Sequence, residues 1–360
     1  MEKAAFQFLS DLLATPSVSG FEQRAAAVVR KWLSPHVDDT RTDVHGNTFF
    51  VLNPKGSPRV MLAGHIDQIG FLVNHITDQG YLYVVPVGGV DLAVVPGSRL
   101  TIHGEKGPVL GVIGRKAIHL MKPEERDGGK KFDIVDFHVD IGAAGKKEAQ
   151  KLVQVGDPVT FQLGVAQLGD DLITAHALDD RVGVWVMAEA LRIIAMDKKK
   201  RAGLKAAVFG VATVQEEIGL RGALTASYGI EPQVGIAIDV THASDSPGVD
   251  EKAHGAVKMG QGPTLSYGPN INEPLNAIME KAAKASKAFV QRHAAPRATG
   301  TDANTIQISR AGVATAILGL PCRYMHTQVE VVSRKDLVSA AKVLAETITM
   351  LTPNMSLIPK

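Results

Sequence analysis

Ala206-Ala207-Val208-Phe209-Gly210-Val211-Ala212-Thr213-Val214-Gln215-Glu216-Glu217 is the stretch that decides the fold class. A short apolar run rich in β-branched residues stops abruptly at two adjacent carboxylates, as a buried strand does where it leaves a sheet. Before it, residues 179–194 read as a long helix. After it come apolar strands at 234–240 and 313–318 and helices at 274–288 and 333–351. That alternation predicts an α/β layer: a mixed, largely parallel sheet with helices on both faces. Toward the N-terminus, Phe6, Leu9, Leu12 and Leu13 recur at helical spacing up to Pro16. Ser19 and Glu22 read as a capping box before a second helix through Val28, Val29, Trp32 and Leu33. Strand-like runs at 48–52 and 59–63 follow.

Between these two blocks the texture changes. Residues 71–161 are rich in Val and Gly, punctuated by Asp78-Gln79-Gly80, Gly88-Gly89 and Gly104-Glu105-Lys106-Gly107, with only 145–152 helical in pattern. The expected organisation is therefore an α/β domain made from residues 1–70 and 162–360, interrupted by a β-rich domain at 71–161. The length of 360 residues agrees with more than one domain, at ~150 residues each. Hydrophobic content of 45% and charged content of 21% exclude a disordered or collagen-like chain. A net charge of +2 argues against a nucleic-acid partner. No run reaches the ~18 apolar residues of a membrane span. The start of the chain shows no signal-peptide pattern, and the single cysteine, Cys322, fits a reducing compartment, so a cytoplasmic location is expected.

Five places put histidine or carboxylate where a strand is expected to end: Gly64-His65-Ile66-Asp67, Leu178-Asp179-Asp180-Arg181, Gln215-Glu216-Glu217, Ile238-Asp239 and Tyr324-Met325-His326. Ligands of open α/β sheets bind outside the carboxyl ends of the strands, so the five predict one convergent site. Gathering Asp67, Asp179, Asp180, Glu216, Glu217 and Asp239 in one cleft is costly unless cations compensate, and Arg181 offsets only one charge. Imidazole mixed with carboxylate suits zinc, cobalt or manganese rather than calcium or magnesium. Taken singly, each group has a plainer reading: a structural histidine, a helix-capping Asp179, a solvated Glu216-Glu217 loop. Their joint occurrence at strand ends favours the metal reading. His176 and His242 lie near enough in sequence to support the ligands, whereas Cys322 beside His326 reads as a buried structural thiol. No nucleophile elbow and no dinucleotide-binding glycine motif is present.

The blocks around these residues, with Ala177-Leu178-Asp179-Asp180-Arg181-Val182-Gly183, Gly300-Thr301-Asp302-Ala303-Asn304 and Arg323-Tyr324-Met325-His326, occur in one order along nearly the whole chain. The sequence resembles the tetrahedral (TET) dinuclear metallo-aminopeptidases, a family of glutamyl, leucyl and lysyl aminopeptidases in which some members have been labelled endoglucanase. The resemblance implies two divalent metal ions per subunit. Asp179 would bridge them, with His65 and Asp239 completing one site and Glu217 and His326 the other. It makes Glu216 the general base and Asp67 the carboxylate that orients a histidine. It also implies an oligomerisation role for the β domain, a dodecameric homo-oligomer, and peptides with a free N-terminus as substrates. Gln68 departs from the Glu common in the family, and Gln328 from a common Pro. Competing readings are a related two-metal carboxypeptidase or deacylase, a glycosidase, and a non-catalytic assembly protein. A glycosidase needs two carboxyls about 5–9.5 Å apart and no metal, which would leave the histidines idle.

Overall fold

In a computed structural model, which describes residues 1–123 and 132–359, the chain folds into a mixed α/β sheet domain and a closed β-barrel. The large sheet runs in the order Asp39–Thr42, Thr48–Leu52, Ala207–Thr213, Arg59–His65, Val234–His242, Ala314–Arg323, Glu330–Ser333, Leu172–Ala175 and Val165–Leu168. Along this path the strands from Ala207–Thr213 to Ala314–Arg323 pair in parallel, and two further strands of the sheet, Thr264–Tyr267 and Gln291–Ala294, pair in parallel with each other beside Ala314–Arg323, so the sheet is mixed rather than largely parallel. The flanking strands pair antiparallel; where neighbours follow directly in sequence, as Asp39–Thr42 with Thr48–Leu52 and Val165–Leu168 with Leu172–Ala175, the connection is too short for the crossover that a parallel pair needs.

Alternation along the central strands builds two apolar layers. Val60, Leu62, Val208, Ala212, Ile236 and Ile238 face the larger core, packed with the helices Lys3–Leu13, Leu178–Met196 and Arg334–Met350. Met61, Ala63, Ala207, Phe209 and Val211 face the opposite layer, covered by Ala223, Ala226 and Ile230 of the helix Arg221–Ile230. Successive side chains on a strand point to opposite faces, so a sheet covered by helices on both sides needs continuous apolar strands. That is the composition of the stretch quoted first.

The helix Leu178–Met196 lies very close to the strand Arg59–His65. A Cβ placed on Gly64 would stand 2.7 Å from the backbone of Gly183 and Val184. Gly64→Ala is therefore expected to cost about 1–3 kcal/mol of stability, because the backbone it meets cannot rotate aside. A thermal unfolding midpoint equal to that of the parent would refute this close-packing argument.

The barrel is formed by Gly70–Ile76, Leu82–Val87, His138–Asp140, Gly107–Gly114, Arg99–Gly104 and Pro158–Phe161. It has its own core, including Phe71, Phe137 and Phe161, into which the helix Lys146–Leu152 sends Ala149. Positions 124–131 of the expected insertion lie outside the described residues. No helix among the described residues is long and apolar enough to cross a membrane.

The expected capping box is absent. The helix Gln23–Leu33 has no side-chain cap. Ser19 Oγ instead donates to Asp67 Oδ2 (2.6 Å), and Glu22 Oε1 accepts from the amides of Gly20 (2.6 Å) and Gln215 (3.2 Å). Ser19 thus serves a distant loop of the sheet, and Glu22 divides its oxygen between such a loop and the turn before its own helix.

Candidate active site

The carboxyl ends of the central strands meet at one cavity of about 660 Å³, lined by His65, Asp179, Glu216, Glu217, Asp239 and His326. His65 is the last residue of its strand, and Asp239 lies near the end of Val234–His242. Glu216 and Glu217 follow Ala207–Thr213, while His326 follows Ala314–Arg323. Asp179 follows Leu172–Ala175 at the start of the long helix, where its backbone (φ −74°, ψ 110°) is not yet helical.

The adjacent glutamates both reach the cavity because the chain turns at the strand end. Gln215 adopts φ +56°, in the left-handed region. Three successive amides then find buried carboxylates: Gln215 N–H donates to Glu22, Glu216 N–H to Asp67 Oδ1 (3.0 Å) and Glu217 N–H to Asp67 Oδ2 (3.2 Å). On a regular strand the two side chains would have pointed to opposite faces. Asp67 is wholly buried, and its carboxylate accepts from this turn and from Ser19 while also standing within ion-pair distance of His65. Its Oδ1 is 3.6 Å from His65 Nδ1, farther than its own backbone oxygen at 3.2 Å.

Both histidines turn the same nitrogen inward. His65 Nδ1 faces the carbonyl of Asp67, and His326 Nδ1 faces the carbonyl of Gly89 at 2.9 Å. A carbonyl can only accept, so each Nδ1 carries a proton and each Nε2 is directed into the site. His65 Nε2 lies 3.0 Å from Asp179 Oδ1 and 3.9 Å from Glu216 Oε2. His326 Nε2 lies 3.3 Å from Asp179 Oδ2 and 3.6 Å from Glu217 Oε2. Asp179 thus presents one oxygen to each imidazole. Gly89 belongs to the inserted region, so the inserted domain contributes directly to the site. A Cβ on Gly88 or Gly89 would crowd Glu217 or His326 respectively.

The electrostatics match a site built for cations. Burial, reinforced by Asp239, Asp302 and Glu217, pushes the Glu216 carboxyl up to about 10. Burial and then Asp179 push Glu217 up to about 8. Burial also holds Asp180 and Asp239 well above the usual carboxylate range. Against the same desolvation, hydrogen bonds from His326 and His65 hold Asp179 below it. The hydrogen bond to Asp179 lifts His326 to about 9. The imidazoles of His65 and His326 face these carboxylates, and divalent ions there would compete with protons for the same nitrogens and oxygens. Among the described residues, two groups have donor atoms within 4.8 Å of one another: His65 with Asp180 and Asp239, and His65 with Asp179 and Glu217. Imidazole and carboxylate so arranged fit divalent transition-metal ions.

A family model described as M42 glutamyl aminopeptidase matches residues 46–343. The chain belongs to the peptidase M42 family. It is similar to the lysyl aminopeptidase of Pyrococcus furiosus, with 38% identity over 95% of this chain and 96% of the relative. Its fold matches the TET aminopeptidase of Thaumarchaeota archaeon SCGC AB-539-E09 with a TM-score of 0.90, at 33% identity and 97% coverage of both chains. The Pyrococcus horikoshii TET1 peptidase, which can assemble into a tetrahedron or a large octahedral shell, matches with a TM-score of 0.84, at 30% identity, over 96% of this chain and all of its own.

As a member of the M42 family the protein is a peptide hydrolase, and several residues that could have suggested other chemistry are structural. Cys322 is buried, and burial with the nearby Glu330 pushes its thiol well above the ordinary range, so it is no nucleophile. His176 stands apart from the M42 cluster, between the carbonyls of Thr327 (3.2 Å) and Ile69 (3.3 Å) and against Phe161 of the barrel. His242 lines the cavity together with His293 and Ser266. Asp302 is buried and accepts from Thr213 Oγ1 (2.6 Å), in the same charge network as Glu216 and Asp239. Its block was visible in the sequence, but a hydrogen bond spanning 89 residues leaves no local pattern. Glu330 was missed altogether, since a lone glutamate opening a short strand carries no signal.

Proposed function

We propose that the protein is a dinuclear-metal aminopeptidase that removes N-terminal residues from peptides. The observation that supports this reading most directly is Asp179, whose two oxygens face His65 and His326 separately. Asp179 would be shared between two ions, with His65 and Asp239 at one and Glu217 and His326 at the other. Asp180, which falls in the group with His65 and Asp239, accepts from the amides of His65 (3.2 Å) and Gly183 (3.1 Å) and would hold the first site in shape. Zinc, cobalt or manganese bound there would supply Lewis-acid polarisation of the scissile carbonyl and acidification of water.

Glu216 lines the cavity, where divalent ions beside it would hold its carboxyl ionised. It would take a proton from the attacking water and return it to the departing amine. Asp67 would act on this step at one remove, by holding the Glu216-Glu217 turn. The carboxylate-rich cavity also suits the free amino group of a substrate, which is the basis for preferring exopeptidase action at the N-terminus. A homo-oligomer, a dodecamer like the TET particles, fits the exposed Leu110, Val112, Ile118, Leu120 and Val135 on the inserted domain. A cytoplasmic setting fits the single reduced Cys322.

A panel of free and N-blocked peptides tests this function. Free peptides should lose residues one at a time from the N-terminus, and N-acylated ones should stay intact. Release from the C-terminus, or cleavage of the acyl group, would move the assignment to a carboxypeptidase or deacylase.

A further inference from the structure

We propose that Glu330 is a positioning residue that sets the relation of Asp179 to His326 and thereby the shape of the second metal position; this rests on the dinuclear reading above. Glu330 opens the strand Glu330–Ser333, opposite Ala175, and its side chain is buried. Its Oε2 accepts from the Asp179 amide at 3.1 Å, and its Oε1 accepts from the His326 amide at 2.9 Å. One carboxylate thus grips the backbone of two residues whose side chains meet at 3.3 Å inside the cavity.

The need for such a grip follows from the backbone. Asp179 has left its strand without entering the helix, and His326 sits at φ +64° in the left-handed region. Neither amide has a place in a sheet ladder or a helix, and a buried N–H must find an acceptor. Glu330 supplies both acceptors from one rigid strand. Asp67 does the same for Glu216 and Glu217 elsewhere on the cavity wall. Arg181 links the two clamps: it is fully buried, and its hydrogen bonds go to neutral oxygens of Leu12, Ser17 and Gln68. Its charge acts on both Glu330 and Asp67. A glutamine at position 330 would keep the size of the side chain but present an NH₂ group to one of the two amides, so one clamp arm would be lost.

The test is cobalt(II) titration of the metal-free, full-length protein and of Glu330→Gln, followed by absorption, with thermal unfolding of both metal-free proteins alongside. The parent should bind in two phases. In Glu330→Gln one phase should move to about 10–100-fold higher cobalt, the usual effect of losing a group that orients ligands, while the other phase stays in place; the metal-free unfolding midpoint should fall modestly, because one buried amide loses its acceptor. Two unmoved phases would overturn the proposal. So would two phases displaced alike, which would mark Glu330 as a general stabiliser. If Glu330→Gln does not fold, Glu330→Asp, which keeps the charge but is one methylene shorter, is read by the same criteria. A parent that binds no cobalt would instead overturn the dinuclear reading itself.

Discussion

Glu216→Gln is expected to retain its fold and its metal content while turnover falls by about 10²–10⁴-fold, the usual contribution of a general base. The backbone amide at position 216 would still bond Asp67 in this variant, because that contact does not involve the side chain, so the turn carrying both positions is preserved. What is lost is a carboxyl that can accept and return a proton. Glu217→Gln should behave differently. Glu217 Oε2 lies 3.6 Å from His326 Nε2 and within the ligand group with His65 and Asp179, so its loss should weaken one metal position, and added metal should restore part of the activity. Metal analysis with steady-state kinetics separates the two variants. Near-normal turnover in a fully metallated Glu216→Gln would show that another group moves the proton.

Dialysis against a strong chelator should abolish peptide hydrolysis, and zinc, cobalt or manganese should restore it. The argument is electrostatic. Asp67, Asp180 and Asp239 are buried around His65, and the upward pressure on Glu216, Glu217, Asp180 and Asp239 arises first from burial and then from the neighbouring carboxylates. Removing the compensating ions would leave only protons, on carboxyl or imidazole, to balance the buried carboxylates. Neither protonated group polarises a carbonyl as a divalent ion does. Full activity in a sample shown by elemental analysis to be free of metal would sink this reading, whereas loss of activity with recovery only on adding calcium would contradict the ligand chemistry.

The inserted domain's part in the site was not legible from the sequence. Gly88-Gly89 reads there as turn punctuation, yet the carbonyl of Gly89 selects the proton position on His326, which lies 237 residues further along the chain. A Cβ at position 89 would stand 3.0 Å from His326 Nδ1, so a substitution there bears on the site as well as on the inserted domain. The mistaken capping box has a related cause. Ser19 and Glu22 have the spacing of a local cap, but acceptors and donors 48 and 193 residues away compete for the same side chains. A cap is one hydrogen bond at a solvated helix end. A buried amide with no partner costs about 1–3 kcal/mol, so the buried partners win.

By itself the sequence determined what depends on neighbours along the chain. The continuous apolar runs of the central strands, the helical periodicity between them and the change of texture at the inserted β region are local patterns, and they placed the fold class and the order of its elements. The stop of each run at histidine or carboxylate also marked where His65, Asp179, Glu216, Glu217, Asp239 and His326 would be sought, because a parallel sheet brings strand ends to one rim. The tertiary structure alone decided how those ends are held. That Asp67 commits its carboxylate to the Glu216-Glu217 turn, that Glu330 clamps Asp179 to His326, and that Gly89 orients an imidazole from another domain are consequences of unpaired amides and ring nitrogens finding partners across the fold. Such bonds have no period and no fixed spacing, so they become visible only when the chain has closed on itself.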